Sequence, residues 1–98
     1  MFNFTEITGI GEYTSKKEKK DDHTHELFLK DDKAFLVVNP KTIELRTDNK
    51  LKNLLVEKYE SVMESRYFGR GGIEIVLAGN QLTRDELDDL IRLSYNLS

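Results

Sequence analysis

The sequence predicts a single α+β domain, and three observations carry that prediction. Apolar residues alternate along short runs between positions 27 and 45, and again from Ile73 to Leu77, which is the period of half-buried strands. Two other stretches, Leu51–Tyr59 and Leu82–Leu97, space their apolar residues at the helical period. The 98 residues hold 38% apolar and 34% charged side chains, a balance that supports one modest core.

Several function classes drop out on composition. The chain has no cysteine, which excludes disulfides and thiolate metal sites. No apolar run approaches the ~20 residues of a membrane span. The opening MFNFTEITGI has no basic region followed by an apolar stretch, so no signal peptide is expected and the cytoplasm is the expected compartment. A net charge of −3 runs against a dedicated nucleic-acid binder, which shows at least a basic face.

Along the chain, residues 1–25 read as a weak strand or irregular segment, because Gly9 and Gly11 interrupt sparse apolar residues. KKEKKDDHTHE (Lys16–Glu26) has no large apolar residue and reads as an exposed loop or solvated hairpin end. HELFLKDDKAFLVVNPKTIELRT then reads as three strands with turns at Asp31-Asp32 and Asn39-Pro40. Leu27/Leu29, Phe35/Val37 and Ile43/Leu45 fall on alternate positions, a meander with one buried face. Thr47 or Asp48 caps a helix whose stripe is Leu51, Leu54, Leu55 and Tyr59. SVMESRYF and IEIVLA follow as strands, ended by Gly79-Asn80. In the last helix Thr83 and Glu86 have capping-box spacing, Leu82 and Leu87 form the staple, and Leu87, Leu90, Ile91 and Ser94 face the core.

The Gly69-Arg70-Gly71-Gly72 run invites comparison with a phosphate cradle. A cradle needs a helix after the loop, pointing free amides at the anion. Here Ile73, Ile75 and Leu77 alternate as a strand does, so the run reads as a hairpin turn. Arg66, Tyr67, Phe68 and Arg70 still combine cations with aromatics, the mixture that phosphate contact and base stacking use. A nucleic-acid interface would be drawn from Lys50, Lys52, Arg66 and Arg70. His23 and His25 share a strand face beside acids, but no further His or Cys completes a four-ligand zinc site; the pair reads as a solvated edge. Asp88 and Asp89 are adjacent on a helix and diverge. Both histidines lie in the least core-like segment, away from any serine a nucleophilic mechanism would use. No enzyme, metal or cofactor is expected.

From Lys33 onward, KAFLVV, TIELRT, LKNLLVEKY and ESRYFGRGGIEIVLAGNQLTRDELDDLIRLSYNL together resemble the YjbR/MmcQ family of small bacterial proteins. Ser65-Arg66, the turn and cap GNQLTRDEL, and Ser94-Tyr95 carry the likeness, which spans about two thirds of the chain. The resemblance implies a two-layer sandwich, an antiparallel sheet covered on one side by helices, similar to secretion chaperones. It also implies a DNA-binding role, named for a "double wing" shape. Where the family commonly has His-Trp, this chain has Gly72-Ile73, and the opening amphipathic helix has no counterpart in residues 1–25. The expected function is therefore a nucleic-acid-binding module. The alternative is a protein-interaction adaptor or homodimer working through a sheet face or edge.

Overall fold

A computed structural model describes residues 11–20 and 23–98. Six strands form one antiparallel sheet: β1 (Thr14–Lys20), β2 (His23–Lys30), β3 (Lys33–Val38), β4 (Thr42–Arg46), β5 (Val62–Ser65) and β6 (Gly69–Val76). Their spatial order is β1-β2-β3-β4-β6-β5. Helix α1 (Asn49–Lys58) joins β4 to β5, and α2 (Arg84–Leu97) closes the chain. Both helices pack against the core on one face of the sheet, giving the two-layer α+β sandwich.

The turns follow from their residues. Asp31 and Asp32 both take positive φ, 50° and 67°, as a tight hairpin between right-twisted strands requires. The Asn39 side-chain oxygen accepts from the backbone N–H groups of Lys41 (3.0 Å) and Thr42 (2.7 Å), fixing the turn into β4.

The core between sheet and helices holds Phe28, Phe35, Leu36, Ile43, Leu45, Val62, Ile73 and Ile75, met by Leu87, Leu90 and Ile91 of α2. The one-face meander expected from sequence needs correction. Leu27, Ala34 and Val37 are also buried, but in a second cluster with Leu29 and Phe68. Leu27 pairs Val37 on the helix-free face, and a β-bulge, with Phe28 pairing Leu36 and Leu29 pairing Ala34, leaves Phe35 as the extra residue. Phe35 and Leu36 both join the main core, and Val37 turns away from it. Simple alternation, which placed Phe35 with Val37, fails across that bulge.

Of the two readings of the polar segment 16–26, the solvated hairpin end holds for its described residues. β1 pairs with β2 from Thr14↔Leu29 to Lys20↔His23, and its residues through Lys19 are exposed. Lysines along this edge strand discourage pairing with a second sheet. Residues 1–10 and 21–22, part of the segment read as a weak strand or irregular, lie outside the described residues.

The helices differ in how firmly they are held. In α1, Asp48 accepts from Leu51 N–H at 2.7 Å, but no residue of the helix is fully buried. Leu51 and Leu55 rest on the core, whereas Leu54, read as part of the stripe, is 57% exposed. α1 packs chiefly on β5 and β6, and its docked strip is narrower than the sequence pattern. α2 begins with the expected capping box, Thr83 and Glu86 exchanging bonds of 3.0 and 3.1 Å. The Thr83 N–H, and after it the Tyr59 hydroxyl at 3.1 Å, hold the Glu86 carboxyl below its ordinary value.

Ser94 is fully buried. Its hydroxyl donates to the Phe35 carbonyl and accepts from Arg46 N–H at 2.8 Å, so α2 is hydrogen-bonded to β3 and β4 at once. No helix among the described residues is long and apolar enough to cross a membrane.

Candidate functional site

The β5–β6 connection builds the most polar part of the sheet face that carries no helix. The chain reverses at Arg66–Phe68, and the glycines expected to make the turn instead open β6. Gly69 takes φ +63°, which a side chain would strain. Gly72 is required for space: a Cβ there would stand 2.3 Å from the Leu45 carbonyl oxygen and 2.7 Å from Phe68 Cβ. Ile73 continues the strand, so the run offers no helix terminus to an anion.

Glu44 and Glu74 face one another across β4 and β6. Each sits between core-facing residues, Ile43 and Leu45 in one strand and Ile73 and Ile75 in the other, so both carboxylates emerge on the helix-free side. They are 4% and 1% exposed. Adjacent buried carboxylates demand compensation. Arg66 supplies it to Glu74 with a bidentate contact, Nε to Oε1 at 3.0 Å and Nη2 to Oε2 at 2.7 Å, while the Thr42 hydroxyl donates at 3.0 Å. Burial is the largest influence on Glu74 and would raise its carboxyl. The Arg66 and Thr42 hydrogen bonds and the Arg66 charge outweigh it and hold the group below the ordinary value. The Glu74 hydrogen bond and charge in turn raise the Arg66 guanidinium.

Glu44 is served differently. Its Oε1 accepts from the Ser65 hydroxyl at 2.8 Å and from Tyr67 N–H at 2.9 Å, and Ser65 Oγ accepts from Phe68 N–H. The carboxylate thus organises the whole turn. Arg46 completes the floor, donating to the Ala34 carbonyl and lying 4.8 Å from the centre of the Phe68 ring. Beside this network opens a cleft of about 510 Å³, floored by Leu27 and Val37 and edged by Thr42, Glu44, Arg66 and Tyr67.

The four cations singled out from sequence do not gather into one patch. Arg66 lies on the helix-free face, clasped to Glu74. Lys52 reaches from α1 to Glu64 (2.9 Å) and to the Arg70 carbonyl (3.1 Å), so its charge is already paired. Lys50 is exposed on α1, and Arg70 is exposed on β6. Other cations occupy the helix-free side: by the register of β1, Lys16 shares it with Leu27, and Lys41 lines the cleft. Asp85, Glu86, Asp88 and Asp89 belong to α2, in the opposite layer.

His25 also borders the cleft, opposite Glu18 across β1 and β2; the side chain of His23 lies outside the described residues. Among the described residues no three His, Asp or Glu side chains gather as a metal site. Sequence reasoning missed Glu44 and Glu74. Their signal was present: Ile-Glu-Leu and Ile-Glu-Ile each place one carboxylate between two core residues, on a face that then needs a donor.

Compared with known proteins, the chain matches no family model, no curated protein and no solved structure.

Proposed function

We propose that the chain is a non-enzymatic nucleic-acid-binding module of the YjbR/MmcQ kind, acting in the bacterial cytoplasm through the helix-free face of its sheet. The observation that carries the reading is a local group of exposed cations beside an aromatic on the helix-free face, with Glu18 the exposed acid among them. Exposed Lys16, Lys41 and Arg66 stand with half-exposed Tyr67 on the sheet side, while the α2 carboxylates are on the helical side. A net negative chain can bind phosphate through such a face because the field that matters is local, screened within about 8–10 Å at physiological salt. An open antiparallel face with an aromatic among cations suits single strands, whose bases are free to stack. Of Lys50, Lys52, Arg66 and Arg70, Arg66 belongs to this face, Arg70 stands exposed on β6, and Lys50 and Lys52 are on α1. The two-layer architecture and the α2-to-sheet bonding of Ser94 support the family side of the reading.

The test is a titration of labelled short DNA and RNA, single- and double-stranded, at about 50 and 200 mM salt. Binding that weakens steeply with salt, with a slope lowered by about 1 in each of Lys16→Gln and Lys41→Gln, is expected. No binding tighter than about 100 μM at about 50 mM salt would sink the reading.

One observation favours a protein-interaction reading instead. β5 is an edge of the sheet that carries no lysine, and its Met63 is 41% exposed. A second chain adding to this edge would continue the sheet. Sedimentation at high concentration decides it: a dimer lost in Met63→Lys supports the edge, and a strict monomer removes the homodimer.

A further inference from the structure

We infer that the cleft beside Glu44 receives one unstacked nucleobase and reads its amino edge through the free oxygen of that carboxylate. The inference rests on the nucleic-acid reading above and adds where a base sits and which bases are preferred.

Glu44 is 96% buried by its 4% exposure, yet its carboxylate is only half used. Both hydrogen bonds it accepts fall on Oε1, from Ser65 and Tyr67. No described residue donates to Oε2, and Glu44 lines the cleft. Oε2, with no donor among the described residues, opens into the cleft, where it can accept from a ligand that brings an N–H group. The carboxylate cannot swing away, because the two Oε1 bonds tie it to the β5–β6 turn. The acceptor is therefore preorganised.

The other walls select the rest of the ligand. Leu27 and Val37 give an apolar floor, and the Tyr67 ring, 49% exposed, stands at the edge as a stacking surface. Arg66 keeps Nε and Nη2 on Glu74, but its side chain is 77% exposed, so the guanidinium has its outer side in solvent. With Lys41 it offers positive charge at the cleft's rim, where a phosphate follows a docked base. At about 510 Å³ the cleft is in the range of small-molecule sites and admits a base with its sugar. Apolar floor, aromatic wall, fixed acceptor and a rim of Lys41 and Arg66, with Glu18 at the far side, together match a nucleotide. A purely cationic ligand would meet Arg66 and Lys41, and a purely anionic one would meet Glu44.

The acceptor sets a preference. Cytosine, adenine and guanine each present an exocyclic amino group that a carboxylate accepts from, and thymine has none. Thymine presents its ring N–H between carbonyls, whose oxygens repel a carboxylate. Oligo-dC and oligo-dA should therefore bind more tightly than oligo-dT of the same length.

Fluorescence anisotropy with labelled dC, dA and dT oligomers at one salt concentration tests this on the full chain. Expected are dC and dA affinities at least about fivefold above dT, the scale of a good base contact. Glu44→Gln, whose amide also donates, should bring the three within about twofold. Tyr67→Leu, at an exposed ring whose loss leaves the core intact, should weaken all three at least about fivefold while keeping their ranking. Salt-sensitive binding with equal affinities for the three oligomers overturns the base pocket and leaves the nucleic-acid reading standing. A preference unchanged by folded Glu44→Gln, or an affinity unmoved by Tyr67→Leu, overturns it as well. Absence of binding to every oligomer overturns both.

Discussion

Replacing Arg66 by alanine removes the partner of a carboxylate that the sheet cannot release. Glu74 has 2% of its side chain exposed and would keep the Thr42 hydroxyl and the backbone N–H of residue 66 but no cation. Breaking a fully buried ion pair costs about 3–5 kcal/mol. Arg66 is 77% exposed, so water screens its side of the contact and part of its charge can be replaced by solvent. The expected loss is therefore about 1–2 kcal/mol at pH 7, nearer the cost of an unsatisfied buried acceptor. Acid changes that loss in a defined direction. In the wild-type chain Glu74 is held below its ordinary value of 4.5, so its stabilisation is complete above that value and disappears as pH falls through the lower folded value. In Arg66→Ala the carboxyl moves up from its wild-type value, because the guanidinium hydrogen bonds and charge that opposed burial are gone. The variant should consequently lag the wild type most at pH 7 and approach it as the pH drops below about 4, where a protonated Glu74 no longer needs a cation. Urea unfolding followed by circular dichroism at both pH values measures this gap. A gap that stays constant or widens on acidification would refute the account of the clasp.

Three further perturbations separate parts of the structure. Gly72→Ala should destabilise by about 1–3 kcal/mol in chemical denaturation, since its Cβ would meet the Leu45 backbone oxygen at 2.3 Å. Thr83→Ala should cost about 1 kcal/mol by removing the cap of α2, read as a lower urea midpoint with an unchanged slope. Leu54→Ser should change stability by no more than about 0.5 kcal/mol, because that side chain is mostly in solvent; a large loss would mean α1 packs differently.

The parts of this fold written locally were readable from the chain. The α2 cap needs only Thr83 and Glu86 at a fixed spacing, and the Asp31-Asp32 and Asn39-Pro40 turns need only their own residues. What depends on pairing partners was not readable. The bulge that sends Phe35 and Leu36 to one side arises from how β3 meets β2, and no alternation count contains it. The polar β1 was legible only as one alternative, a weak strand or solvated hairpin end, because TSKKEKK buries nothing by itself and β2 has to provide the partner. The candidate site follows the same division. The Arg66–Tyr67 mixture stood out, but its role depends on Glu74 and Glu44, two carboxylates brought together only when β6 lies beside β4. Lys52 shows the opposite case: a cation that looked available is occupied by Glu64, twelve residues along the chain.

Binding at the helix-free face is the central claim, and backbone amide mapping by NMR during titration with a short single-stranded oligonucleotide tests it most directly. The account predicts shifts concentrated in β1, in β4 and at Arg66–Phe68, with α2 unaffected. Shifts confined to α2 or α1, or a spectrum that does not change at all, would contradict it.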